Sequence, residues 1–279
     1  MVSEHMSAQD PARGQVTDRA SGSVGEQSRV RGEHGARQEL IRAIRELDGG
    51  GPLRIQDIPA GENMRESAVL ILVGALDETP PDLDLLLVQR APTLRAHPGQ
   101  VAFPGGRLDP EDGDPHDPAD RVELPGGVGQ AAYVRAALRE AQEETGLDPA
   151  GVEILGMLPR TPLAVSSHQV TPVVGWWSKP VPVEVVDHAE SSLVFRTPIA
   201  DLVNASHRHY AEVQIPGPDY PRLRHRSPAF RIPRTITDPA GGSGDVVVWG
   251  FTGILLDHLL SAAGWNLPWD TTDIRPAPL

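Results

Sequence analysis

Apolar residues fall along this chain in two rhythms. From Ser67 to Leu76 the sequence SAVLILVGAL is almost continuously apolar, with the length and branched side chains of a buried strand. Turn residues Thr79, Pro80, Pro81 and Asp82 follow, and LDLLLVQR resumes from Leu83 to Arg90, so the pair predicts an antiparallel hairpin with Arg90 at its far end. A short strand, VAF, enters Pro104, Gly105 and Gly106; VEILGML, VTPVVGWW and SLVFRTPI predict further strands, and RLRHRSPAFRI one more inside an irregular stretch over 204–244. Trp176 and Trp177 read as core and rim rather than as a platform for stacked bases.

The helical rhythm appears three times. ARQELIRAIRELD, residues 36–48, spaces Leu40, Ile41, Ile44 and Leu47 on one face, with Gly49 to Gly51 as the stop. VVVWGFTGILLDHLL turns from strand into a helix packed through Leu255, Leu256, Leu259 and Leu260, and the tail WNLPWDTTDIRPAPL covers a seam. Between these lies an Ala-rich, helix-favouring run ending in REAQEETGL. At about 100° per residue it sets Val134, Ala137, Leu138, Ala141 and Thr145 on one arc and Glu140, Glu143 and Glu144 on the next. Gly146 stands where a helix ends in a left-handed residue, with Leu147 folding back on the last turn.

Three carboxylates on little more than one turn repel one another unless a cation sits among them. Oxygen ligands, with no Cys and no His cluster, point to Mg2+ or Mn2+ rather than zinc. Arg139 has the i, i+4 spacing to pair with Glu143. As a bare pattern, a Glu-rich helix is more often a solvated face, and the upstream Gly-Gly loop is what changes that reading.

These elements resemble the Nudix box of the Nudix hydrolases, G-x5-E-x7-R-E-U-x-E-E-x-G-U, where U is bulky and aliphatic. Gly105, Glu111, Arg139, Glu140, Glu143, Glu144, Gly146 and Leu147 fill the fixed places, with Ala141 at the first U. The departure is the spacer from Glu111 to Arg139, about twenty residues longer than the family's and dense in Gly, Pro and Asp. It predicts a surface loop insertion at about 113–130, either a lid over the pocket or padding.

Upstream, Leu86, Leu87, Arg90, Leu94, His97, Gly99, Gln100, Val101, Phe103, Pro104, Gly105 and Gly106 are similar to the signature of the coenzyme A pyrophosphatase branch of that family. The resemblance covers roughly residues 65 to 266. It implies an α/β fold, a Nudix-type α/β/α sandwich with a mixed β-sheet. It also implies metal ligands Glu140, Glu143, Glu144 and Glu111, catalytic roles for Glu143, Glu144 and Arg139, and substrate contacts from Arg90, His97, Gln100, Phe103, Gly105 and Gly106. From the residues alone Arg90 binds a phosphate or merely ends its strand, and His97 contacts substrate or makes one structural hydrogen bond. Glu190 stands where the family often carries an acidic residue.

Composition narrows the partners. A net charge of −13 makes nucleic acid or an anionic membrane a poor partner, so a polyanionic substrate must be met by local arginines and metal. Lys179 is the one lysine, and Cys is absent, which excludes disulfides and thiol catalysis. Residues 1–35 carry almost no large apolar side chain and predict a disordered tail, leaving 36–279 as a single domain. No apolar run reaches spanning length and no signal peptide is visible, so a cytoplasmic protein is expected. The expected partner is a small molecule, coenzyme A or a derivative cleaved to 3′,5′-ADP and 4′-phosphopantetheine, with a homodimer left open. The rivals are a hydrolase of ADP-ribose, dinucleotides or nucleoside triphosphates, and a catalytically silent nucleotide-binding module.

Overall fold

The computed structural model describes residues 32–49, 64–75, 82–163, 166–215, 223–233 and 245–278. The tail expected over 1–35 falls largely outside them, as do turn positions 79–81 and Gly50 and Gly51.

Strands β1 (Arg65–Ala75) and β9 (His168–Trp177) lie parallel at the middle of an eight-stranded sheet. Antiparallel neighbours extend it: β2 (Leu83–Arg90) and then β10 (Ser191–Pro198) beyond β1, and β7 (Val152–Met157) beyond β9. Three short strands complete it, with β3 (Val101–Ala102) on β2, β4 (Gly105–Arg107) on β1 and β8 (Thr161–Leu163) on β9. The expected hairpin of β1 and β2 is present, with Val73 opposite Leu85.

Alternation along β1 decides what each face meets. Ala68, Leu70 and Leu72 point to one side and pack with Tyr133, Ala136, Ala137 and Ala141 of helix α2 (Ala131–Thr145). Ile71 and Val73 point to the other, against α1 (Glu33–Asp48) and the helix over Gly250–Ala262. The result is the expected α/β/α sandwich with a mixed sheet.

After β10 come a short helix, α3 (Ile199–Val203), and a second sheet, in which β11 (Arg208–Ile215) lies between β12 (Leu223–Ile232) and β14 (Ile274–Pro276), and β13 (Val246–Val248) borders β12. Helix α4 (Gly250–Ala262) packs on β12 and α1, with Leu255, Leu256, Leu259 and Leu260 buried as expected. The terminal stretch does cover a seam: Trp265 is buried and donates its indole N–H to Glu39 of α1 at 2.5 Å.

The insertion is more ordered than a loop. Arg121–Leu124 (β5) and Gly127–Gln130 (β6) form a hairpin whose turn is Pro125–Gly126. Gly126 N–H donates to Leu155 O at 2.6 Å, and a side chain at this position would strike Ile44, so the hairpin tip is seated on β7 and α1.

Candidate active site

Burial on α2 is centred one step round from the predicted arc. Tyr133, Ala137, Ala141, Glu144 and Thr145 face the core, whereas Val134 and Leu138 are half-buried. Glu144 therefore points inward at 7 % exposure, Glu140 lies on the boundary, and the Glu143 side chain is 59 % exposed. The three glutamates do not share one environment. Gly146 closes the helix at φ 70°, as expected, and Leu147 is buried.

The loop between β3 and β4 clasps two of them. Gly105 N–H donates to Glu144 Oε2 at 3.1 Å, and its φ of 154° with Ala68 O close behind admits no Cβ. A Cβ on Gly106 would land on the Glu140 carboxylate. Burial pushes the Glu144 carboxyl up to about 8; the Gly105 N–H opposes this, Glu140 reinforces it, Arg90 opposes it and Glu190 reinforces it. Burial also raises Glu140, against the pull of Arg139.

Arg139 is the hub behind them. It pairs with Asp112 at 2.8 Å, Glu140 at 3.1 Å, Glu143 at 3.1 Å and Asp109 at 3.7 Å, and donates to Arg107 O at 2.9 Å. Its pKa is raised first by the hydrogen bonds to Asp112. With its donors committed in this way, Arg139 orders the loop and helix rather than reaching outward.

Two expectations change. Glu111, expected among the metal ligands, is exposed in the 3-10 turn Pro110–Asp112, and the buried carboxylate is its neighbour Asp112. Counted from Gly106 instead of Gly105, the G-x5 spacing reaches Asp112, an acid one methylene shorter than the Glu of the pattern, and burial favours this second register. Phe103, expected to touch substrate, is 3 % exposed within the core; its ring supports the loop from below.

The other expected contacts sit around the β2 end. Arg90 is close enough to act on Glu144, and its Nε is buried without a partner among the described residues. His97 is exposed at φ 55° with Nδ1 2.9 Å from Gln100 Oε1, and Arg90 N–H donates to Gln100 O at 2.9 Å, so these residues form one turn. Glu190 joins them, its carbonyl accepting from Ala91 N–H at 2.8 Å.

Asp120 escaped the sequence reading. It accepts from Ala132 N–H at 2.6 Å in the first turn of α2 and pairs with Arg135 at 2.7 Å, while Arg135 Nε reaches Asp112 O at 2.6 Å. Both ends of the insertion are thereby tied to α2. An acidic residue before a helix is a readable cap signal, but Asp120 stands too far ahead of Ala131 for that pattern to find it.

Among the described residues no three His, Asp or Glu side chains are gathered to hold an ion. The donor set nonetheless fits a hard divalent cation: Glu140 and Glu144 are both buried beyond their comfort as anions, beside a loop rich in backbone carbonyls. Glu143, engaged by Arg139, stands at the rim of that pair.

The sequence profile of the NUDIX domain matches residues 64–192. An uncharacterized Nudix hydrolase, NudL, of Klebsiella pneumoniae subsp. pneumoniae is 37% identical over 171 residues, which cover 60% of this chain and 75% of that protein. NudL of Cronobacter sakazakii is 37% identical over 168 residues, 59% of this chain and 73% of that one. A crystal structure of a NUDIX hydrolase from Alicyclobacillus acidocaldarius is 20% identical, covering 50% of this chain and 82% of that one, at a TM-score of 0.37. The matched span begins at the first strand of the central sheet and takes in the Gly105–Gly106 clasp and the whole of α2, and on the kinship with NudL the chain belongs to the Nudix hydrolase family.

Proposed function

We propose that the chain hydrolyses the pyrophosphate of coenzyme A or its derivatives, with Mg2+ or Mn2+, releasing 3′,5′-ADP and 4′-phosphopantetheine. The observation that carries the metal-dependent chemistry is the pair Glu140 and Glu144, held against Gly106 and Gly105, with Arg139 on Glu140 and no ion pair on Glu144 among the described residues. Coenzyme A as substrate is supported by the run from Leu86 to Gly106, which forms the turn of Arg90, His97 and Gln100 beside that pair.

Glu140 and Glu144 would hold the cation, with the carbonyls of the Gly105 loop nearby. A divalent ion there supplies charge cancellation on the phosphates and acidifies a bound water. A cation held there would favour the ionised form of Glu144, offsetting the burial that raises its pKa. Glu143, exposed and held by Arg139 through Oε2, would accept the proton of the attacking water. Arg90 and His97 lie where an anionic substrate would cross the loop. Arg139 positions Glu140 and Glu143.

Phosphorus-detected product analysis of coenzyme A with magnesium, beside the Glu144→Gln variant, tests this reading. Magnesium-dependent 3′,5′-ADP, lost in the variant, is the expected result. A tenfold preference for ADP-ribose or a dinucleotide would move the substrate. Thermal shifts with nucleotide but no hydrolysis of any of them would favour a silent module, which the capture of Glu143 by Arg139 makes a fair second reading.

A further inference from the structure

A group of cations stands on the other side of β4 from the carboxylate pair. In the sheet register Arg107 lies opposite Ser67, and Arg65 lies beside His168. Arg65 and Ser67 are two apart on one strand, so all four side chains leave the same face. Ser67 Oγ is 3.1 Å from His168 Nδ1, which fixes the imidazole, and Ser67 itself is only 3 % exposed. His97 is near enough to act on His168 as well.

In a chain with 38 acidic residues most described arginines find a carboxylate or carbonyl, Arg90, Arg95 and Arg121 being exceptions elsewhere. Arg65 and Arg107 have no ion pair among the described residues. The intervening Glu66 is turned to the opposite face, where Tyr133 donates to it at 2.8 Å and Arg160 pairs with it. Like charges at neighbouring register positions repel, and burial with the surrounding cations depresses His168. Such a face lacks an anion. It is also close to the chemistry: Glu140 packs on Gly106, and Arg107 leaves the other side of the strand one residue later, about 3.3 Å along it.

We propose that Arg65, Arg107, His168 and Ser67 form a second anion site, which takes a phosphoryl group of the substrate that is not part of the pyrophosphate being cleaved. The site rests on the hydrolase reading above and narrows it to substrates carrying such an additional phosphate ester. Two guanidiniums offer paired donors, and the Ser67–His168 pair offers the one proton its mutual hydrogen bond leaves over, matching three phosphate oxygens.

The test is kcat and KM for coenzyme A and 3′-dephospho-coenzyme A with magnesium, for the full chain and its Arg65→Gln/Arg107→Gln variant. The wild type is expected to favour coenzyme A by about tenfold or more, mainly in KM, and the variant to bring that ratio down to about one. A ratio of about one in the wild type, or the same preference in both proteins, overturns the proposal. If the wild type cleaves neither, the substrate reading fails separately, and calorimetric titration with adenosine 3′,5′-bisphosphate and 5′-AMP reads the site without turnover. Tighter binding of the bisphosphate, lost in the variant, sustains the site; equal affinities overturn it. Should the double variant not fold, His168→Asn and Arg107→Gln singly carry the same comparison.

Discussion

Two buried charges in this molecule are treated in opposite ways. Arg208, at the start of the second sheet, is fully buried, and its guanidinium lies 4.1 Å from the Phe230 ring centre and 4.6 Å from that of Trp269. Asp257 and Asn266 both accept from it. Glu144 is nearly as deep, yet it receives one backbone N–H and shares its surroundings with Glu140 and Glu190. A charge matched from within the chain holds the fold together; a charge left short of its opposite is waiting for something from outside. On this contrast Arg208 belongs to stability and Glu144 to the chemistry proposed above.

Substitutions can separate these roles. The largest expected effect is Glu144→Gln, which should cut turnover by about a thousandfold, or about 4 kcal/mol in the barrier, without lowering the melting temperature. A variant that melts earlier and keeps its rate would erase the contrast. Arg208→Ala should do the reverse, costing about 3 kcal/mol in denaturant unfolding because Asp257 and the two rings lose their partner. Asp112→Ala should cost about 2 kcal/mol and slow turnover by freeing Arg139, whereas Glu111→Ala should stay within about 0.5 kcal/mol of wild type. If Glu111 proves the more sensitive of the two, the register argued from burial is wrong.

The gentlest test is pH. In the metal-free protein the folded Glu144 carboxyl holds its proton up to about 8, against an ordinary value of 4.5. The folded state thus binds more protons across that interval, so stability is greatest below it, falls as pH rises through it and levels above. Chelated protein should melt progressively earlier from pH 5 to 8, with the slope flattened by magnesium and absent in Glu144→Gln. A flat profile for the chelated wild type would mean that Glu144 is better compensated than its surroundings indicate.

Much of this was legible in the residues. The apolar run of β1, the resumption in β2 and the helix closed by Gly146 follow from local preference and period, which tertiary contacts reinforce rather than override. The site was harder. The Glu of the pattern selects Gly105 as its start, because Gly106 leads to an Asp; the burial of Asp112 against Arg139 argues for the other register, and burial belongs to the folded chain. Phe103 sat inside a signature of functional residues, although an aromatic side chain two residues from a strand is first a packing element. The division of labour among Glu140, Glu143 and Glu144 turns on a rotation of the helix by a fraction of a turn, finer than a periodicity can fix. The hairpin in the insertion was written in Pro125 and Gly126 with short apolar flanks, but its glycine content masked it.

The parallel pairing of β1 with β9 has a consequence for how the protein comes into being. Arg65 meets His168 only after all the sequence between them has been made, and Ala68 and Val69 lie between β9 on one side and Gly105 and Gly106 of β4 on the other. Contacts so remote along the chain bring loop-closure entropy before any reward, which slows folding. A nascent chain that stops short of His168 carries every glutamate of α2 but lacks the platform that arranges them. Ribosome-bound truncations ending before His168 should be open to protease, and those extending past Trp177 protected across β1. The glutamate helix is thus synthesised before β9, yet it acquires its arrangement only once β9 has been made.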